Sequence, residues 1–139
     1  MQKEKITKKV VAAIILFEDK IFAAMRSEND IRKGKYEFPG GKIEAGETDE
    51  EALRRELREE LNVEVGPLAY YDRVYYEYEP FILDMNVYKC RLVSEDISLQ
   101  VHKNGGFYTK KALNEMPFLP ADAGLIKKIV ADENLFKDI

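Results

Sequence analysis

With 139 residues, 45% of them apolar and 35% charged, the chain has the size and composition of one compact domain spanning residues 1–139, not of a disordered or fibrous segment. A formal charge of −4 leaves no cationic excess for neutralising a nucleic-acid backbone, so a nucleic-acid polymer is not expected as a partner. A small, highly anionic substrate must then take its positive charge from another source, and a bound cation is the natural one.

The first apolar run, residues 10–17 (VVAAIILF), is only eight residues long. It is too short to span a bilayer and has no small-residue cleavage site, so no membrane association is expected. It reads as a buried strand turning at Glu18-Asp19-Lys20 into a second strand over residues 21–25, a hairpin with at least one strand covered on both faces. Residues 27–35 read as a polar surface loop. Residues 36–38 read as a short strand stopped by Pro39-Gly40-Gly41, with a loop over 42–47. A helix begins at Thr48, whose hydroxyl and the Glu51 carboxylate three residues on form a capping box. Ala52, Leu53, Leu57 and Leu61 supply its apolar stripe, and Asn62 suits the left-handed residue that ends it.

Residues 63–78 and 81–93 are rich in β-branched and aromatic side chains and read as two long antiparallel strands divided at Glu79-Pro80. The aromatic-rich part, 70–78, offers an edge for a homodimer. Cys90, the single cysteine, has no partner within the chain for a disulfide. It is expected as a buried thiol in a reducing, cytoplasmic setting. Residues 107–109 read as a further short strand. Residues 121–136 read as a second helix with Leu125, Ile126, Ile129, Val130 and Leu135 inward. The fold class expected is α/β, helices packed on the faces of a mixed sheet.

The chemistry concentrates in residues 40–63. Glu56 is followed by Glu59 and Glu60 at i+3 and i+4, which places three carboxylates on one helical surface. Like charges at that spacing repel, so an oxygen-ligated divalent cation is one way to favour the arrangement. The simpler alternative is a solvated face, because Arg54, Arg55 and Arg58 alternate with the acids and pair with Glu50, Glu51 or Glu59. Gly40, Gly41 and Gly46 just before the helix, and a fourth carboxylate at Glu47, favour a built site.

Gly41, five residues, Glu47, seven residues, then Arg55-Glu56-Leu57-Arg58-Glu59-Glu60-Leu61-Asn62-Val63 resembles the Nudix box of the Nudix hydrolases. Asn62 stands where the family usually has glycine, and both residues suit a left-handed cap. The stretches 36–44 (YEFPGGKIE) and 118–122 (FLPAD) are similar to the MutT-like branch of small nucleoside triphosphate pyrophosphohydrolases. The resemblance implies an α/β/α sandwich. It implies Mg²⁺ or Mn²⁺ held by Glu56, Glu59, Glu60 and the Gly40 carbonyl, with Glu47 and Arg55 orienting the cluster and Glu56 as the base that takes a proton from water. Family members on the triphosphate side release a nucleoside monophosphate and pyrophosphate.

By the same resemblance Arg26, Glu37, Phe38 and Asp122 contact the nucleoside. The alternatives are a surface charge for Arg26 and plain core for Phe38. Lys42 either meets a phosphate or is solvated. His102, the only histidine, falls nearest the position of a loop glutamate in many relatives, where it either joins the metal and proton chemistry or is an idle loop residue. For the base, an ionised Asp122 only accepts hydrogen bonds and would take the cytosine amino group. That makes CTP or a modified dCTP the expected substrate, with 8-oxo-dGTP as runner-up; nucleotide-sugar diphosphates are a further class. The bland role for Asp122 is a helix cap. A nucleotide-sensing domain without turnover is the competing reading, and the complete acid set speaks against it.

Overall fold

A computed structural model describes residues 5–26, 34–93 and 102–137. Its central sheet contains β1 (Ile6–Phe17), β2 (Lys20–Arg26), β3 (Tyr36–Glu37), β4 (Gly40–Lys42), β5 (Ala69–Glu77), β6 (Phe81–Arg91) and β7 (His102–Tyr108). Helix α1 (Asp49–Leu61) covers one face, and α2 (Lys110–Glu115) and α3 (Ala123–Ala131) cover the other. The main strand order is β3-β2-β1-β6-β5. β1 runs parallel to β6 and all other pairings are antiparallel, so the sheet is mixed.

β1 is the axis of the fold. Its residues 11–16 are all buried, and the two-residue period of a strand sends them alternately to two cores. Val11, Ala13 and Ile15 pack with Ala52, Leu53, Leu57 and Leu61 of α1. Ala12, Ile14 and Leu16 pack with Leu113 of α2 and Leu125, Ile126 and Ile129 of α3. One edge of β1 is fully taken by β6, from Ile6↔Phe81 to Leu16↔Arg91. On its other edge only Leu16 and Phe17 pair with β2. Nearer its start, residues 10–12 pair with β4. β3 pairs with Ala24 and Met25 of β2, whose opposite edge is filled by β7. Residues 36–42 therefore fill the V between the diverging β1 and β2, with Ala13 donating its amide to the Pro39 carbonyl at 2.9 Å.

That wedge is the first departure from the sequence expectation, which ended the strand at Pro39. Gly40 allows the pairing to resume. A Cβ there would sit 2.0 Å from the Val11 carbonyl oxygen, so only glycine brings its backbone this close. Residues 63–68 form no strand beyond a single bridge, Val65↔Leu92; Pro67, without an amide hydrogen, interrupts the ladder. β7 is longer than residues 107–109, because its polar and glycine-rich start is held by the backbone of β2 instead of by any propensity of its own. The short helix α2 was not expected. Thr109 caps it, accepting from the Ala112 amide at 3.2 Å, and it buries only Leu113. The expected helix over 121–136 is a 3₁₀ turn, Pro120–Asp122, followed by α3 ending at Ala131. Leu135 is buried from a turn, and Val130 is 38% exposed, not inward.

β5 is an edge strand on which Tyr70 and Tyr75 are each 58% exposed, in the segment expected to offer a dimer edge. Cys90 is fully buried, as expected, and burial pushes its thiol up to about 12. Among the described residues no helix is long and apolar enough to cross a membrane.

Candidate active site

Local sequence builds α1 as expected. Thr48 accepts from the Glu51 amide at 3.2 Å while the Glu51 carboxylate takes the Thr48 amide at 2.9 Å. Asn62 closes the helix in the left-handed conformation, donating its amide to the Arg58 carbonyl. Between these caps the apolar stripe faces the sheet, and Arg55, Glu56, Glu59 and Glu60 border the loop that leaves β4.

Arg55 organises the acids. Its Nε and Nη2 donate to the two oxygens of Glu47 at 2.7 and 2.9 Å, and Nη2 also reaches the Lys42 carbonyl at 3.0 Å. Its Nη1 donates to Glu56 at 3.0 Å and to Glu59 at 3.3 Å, and the Glu44 carboxylate lies 3.8 Å away. The two-pronged bond from Arg55, then the Glu44 amide at 2.9 Å, hold the Glu47 carboxyl down at about 2. Burial pushes the Glu56 carboxyl above its ordinary value against the opposing pull of Arg55. Arg55 itself is driven upward, first by Glu47, and remains a cation at any working pH. Of the expected pairs, Arg54–Glu50 is present at 3.9 Å, whereas Arg58 stands beside Glu64 at 3.8 Å instead of Glu51.

Glu60 points the other way, into the protein. It is 4% exposed, and its Oε2 lies 3.4 Å from the Gly40 amide. Gly41 leaves the space that Glu56 uses, since a Cβ at Gly41 would fall 2.4–2.6 Å from the Glu56 carboxyl atoms. This glycine pair thus brings a bare stretch of backbone against two carboxylates of the helix. Among the described residues no three acidic, histidine or cysteine groups close into a cation cage. Arg55 gathers Glu47, Glu56 and Glu59, while Glu60 lies beside the Gly40 amide. The donor set still suits a hard divalent cation: glutamate oxygens, a neighbouring backbone carbonyl and no soft ligand. A shallow depression of about 570 Å³ on α1 is lined by Glu47, Glu50, Glu51, Arg54, Arg55, Arg58 and Glu59, and does not include Gly40, Gly41, Glu56 or Glu60.

On the opposite face, Glu37 (8% exposed) and Asp122 (5%) are buried together. Two tethers bring them there. Tyr36 donates its amide to the Pro117 carbonyl at 2.8 Å and bridges to Phe118, laying the 117–119 segment along β3. Asp122 makes no side-chain cap bond to α3, so the helix-cap role is not what the structure shows. Burial, then the Glu37 carboxylate, push its carboxyl up to about 7. The expectation of an ionised Asp122 took no account of this burial. Phe38 lies in the core, 5.2 Å from the Phe118 ring. Lys42 is exposed. Arg26 and His102 face each other in the β2–β7 register, and their side chains lie outside the described residues.

Sequence reasoning missed the wall beside Asp122. The Tyr78 hydroxyl accepts the Ala121 amide at 3.1 Å, its ring lies 5.3 Å from Phe81, and the Lys8 amine sits 4.1 Å over Phe81. It also missed Asp49, bonded to Asn86 and Tyr88. The aromatic run at 75–81 was the only signal available for the first. Nothing local marked the second, which looked like any first-turn helix acid.

An α/β/α sandwich whose split sheet sets a glycine turn against arginine-gripped glutamates defines a class of phosphoanhydride hydrolases. The NUDIX domain model matches residues 7–109, and the chain belongs to the Nudix hydrolase family. It is 37% identical over 131 residues to the 8-oxo-dGTP diphosphatase of Haemophilus influenzae, covering 91% of this chain and 94% of that one. It is 31% identical over 122 residues to the CTP pyrophosphohydrolase of Escherichia coli K12, covering 88% and 90%. The crystal structure of a MutT protein from Methanosarcina mazei Go1 superposes with a TM-score of 0.79 at 27% identity, over 96% of this chain and 99% of that one.

Proposed function

We propose that this enzyme hydrolyses a nucleoside triphosphate to the nucleoside monophosphate and pyrophosphate. The observation that carries the reading is the grip of Arg55 on Glu47, Glu56 and Glu59 beside Gly41. Glu56, Glu59, Glu60 and the Gly40 carbonyl would hold Mg²⁺ or Mn²⁺, which when bound supplies positive charge to the polyphosphate and acidifies water. Glu56 takes the proton of the attacking water on a carboxylate oxygen. The water oxygen bonds to the phosphorus under attack and the α–β phosphoanhydride bond breaks, the bridging oxygen staying with the product that the water displaces, so that the nucleoside monophosphate and pyrophosphate separate. Burial raises the Glu56 carboxyl above its ordinary value, which makes it the stronger base. Arg55 keeps that carboxylate oriented, and Lys42, exposed at the end of β4, meets a phosphate oxygen. Arg26 completes the nucleoside contacts.

Glu37 and Asp122 would read the base against the Tyr78–Phe81 wall, above the Phe38–Phe118 stack. Ionised, Asp122 accepts from the amino group of cytosine, which favours CTP or a modified dCTP. Protonated, it donates to a carbonyl oxygen of the purine, which favours 8-oxo-dGTP. A carboxyl at about 7 supports both forms near neutral pH, and the two relatives named for those substrates are similar to this chain over most of its length. The cytoplasm, where nucleotides and a reduced Cys90 coexist, is the setting this function implies.

The test is pyrophosphate release from a panel of CTP, 5-substituted dCTP, 8-oxo-dGTP, the common triphosphates and nucleotide sugars, with and without Mg²⁺ or Mn²⁺. Turnover confined to triphosphates, dependent on cation and stoichiometric in pyrophosphate, is expected. No turnover on any triphosphate with either cation, or release of single phosphates only, overturns the proposal.

A further inference from the structure

Asp49 is the first residue of α1, in the turn where an acid ordinarily serves only the amides and dipole of its own helix. Here it also reaches across to the sheet. Its Oδ2 accepts from Asn86 Nδ2 at 2.9 Å and from the Tyr88 hydroxyl at 2.7 Å. Asn86 and Tyr88 are two apart on β6 and so share the face that α1 covers. Burial first, then Asp49, push the Tyr88 hydroxyl up to about 12, so it stays a donor through the physiological range. The Tyr70 ring, edge-on at 5.6 Å, helps to fix the Tyr88 ring. Farther along the helix, Arg54 donates to the Val65 and Gly66 carbonyls at 3.0 and 3.1 Å.

Glu60 at the Gly40 amide and Arg55 at the Lys42 carbonyl lie at the site itself, and the remaining α1 interface is apolar: Ala52, Leu53, Leu57 and Leu61 against β1 and its neighbours. Such burial is strong but non-directional. It holds the helix down without choosing one axial position to within a fraction of an ångström. Charge-assisted hydrogen bonds are directional. Asp49 supplies two of them about 10 Å along the helix axis from Glu56, seven residues at the α-helical rise. That span is short enough for a continuous helix to carry the position forward.

We propose that Asp49 is a positioning residue: with Asn86 and Tyr88 it pins α1 to β6 and sets where Glu56, Glu59 and Glu60 stand relative to Gly40 and Gly41. It thereby governs cation affinity and turnover without touching substrate. The inference rests on the reading that those glutamates hold the cation.

The experiment compares Mn²⁺ dissociation constants, measured by calorimetry on the nucleotide-free protein, with melting temperatures and steady-state kinetics. Asp49→Ala should weaken Mn²⁺ binding about tenfold, within the range usual for residues that orient metal ligands. It should lower kcat comparably and leave the nucleotide KM at saturating Mn²⁺ unchanged. Tyr88→Phe, which keeps the ring and removes one donor, should show a smaller effect of the same kind, and it decides the matter if Asp49→Ala fails to fold. Asp49→Asn retains an oxygen acceptor and should restore most of the affinity. Ile129→Val, in the core of the other face, should lower the melting temperature with the Mn²⁺ constant unmoved. If Asp49→Ala and Tyr88→Phe lower stability as Ile129→Val does and leave the Mn²⁺ constant within twofold, the proposal is overturned. Glu59→Gln tells its failure from that of the underlying reading. Lost Mn²⁺ binding there with intact binding in Asp49→Ala removes only the positioning role, whereas intact binding in Glu59→Gln removes both.

Discussion

The Arg55 guanidinium meets both carboxylate oxygens of Glu47, eight residues earlier in the chain, at 2.7 and 2.9 Å. Parallel bonds of this kind fix an angle as well as a distance. They tie the loop after β4 to the middle of α1 and leave Nη1 free to hold Glu56 and Glu59. Arg55 is thus the counterion of the acid cluster. Nη1 engages one oxygen of Glu56 and one of Glu59, so each carboxylate keeps a second oxygen that a cation could take without disturbing the Glu47 grip.

The first prediction concerns the ligands. Glu59→Gln or Glu60→Gln should lower kcat about 10²-fold or more, the scale of a lost electrostatic contact in an active site. Stability should change little for the exposed Glu59. Single-turnover rates with Mg²⁺ measure the loss, and near-normal turnover by both variants would remove the hydrolase chemistry from this helix.

Cation binding should also stabilise the fold. A ligand bound only by the native state, at a concentration 100 times its dissociation constant, adds about 2.7 kcal/mol by mass action. Melting curves recorded across a Mg²⁺ or Mn²⁺ titration should rise with occupancy. A melting temperature indifferent to millimolar amounts of both ions speaks against the assigned ligands.

The two glycines should separate folding from chemistry. Gly40→Ala drives a methyl into the Val11 carbonyl, backbone against backbone. It should destabilise the protein by roughly 3 kcal/mol or more. Gly41→Ala first meets the side-chain carboxyl of Glu56 and not backbone, so the chain should fold while the carboxylate is displaced, with turnover down about 10²-fold. Denaturant melts and initial rates on both variants check the split, and equal loss of stability in the two would refute it.

Asp122 should make both selectivity and stability depend on pH. Its folded pKa, about 7, lies above the ordinary carboxyl value. Relative to an unperturbed acid, its contribution to stability is therefore full below about pH 4, declines as pH rises and is lost above about 7. Asp122→Asn should then be more stable than the parent above pH 7, by at most about 4 kcal/mol, and the gain should vanish near pH 4. The same variant should weaken cytosine substrates by about 1–3 kcal/mol in transition-state binding and spare guanine analogues. In the parent, the kcat/KM ratio of CTP to 8-oxo-dGTP should climb between pH 6 and 8. A ratio flat in pH and equal losses for every base would mean that Asp122 does not read the base.

Helix α1 was legible from the sequence because everything that builds it acts over a few residues. The Thr48–Glu51 box, the apolar stripe, the Asn62 cap and the row of Glu56, Glu59 and Glu60 all lie within helical neighbour distance. A doubly covered strand in the first hairpin was legible for a similar reason, since an unbroken apolar run cannot face water on either side; that β1 is that strand came from the structure. Two results came only from the assembled sheet: the insertion of residues 36–42 between β1 and β2, and the burial of Glu37 with Asp122 across the following 85 residues. The hold of Asn86 and Tyr88 on Asp49 was likewise hidden. None of these leaves a local mark, because each hydrogen bond or charge contact joins segments brought together by strand pairing elsewhere. The pKa of Asp122 is the sharpest case. Its residue type is an acid like any other, and only the apolar packing around it and the carboxylate of Glu37 keep it protonated as far as neutral pH.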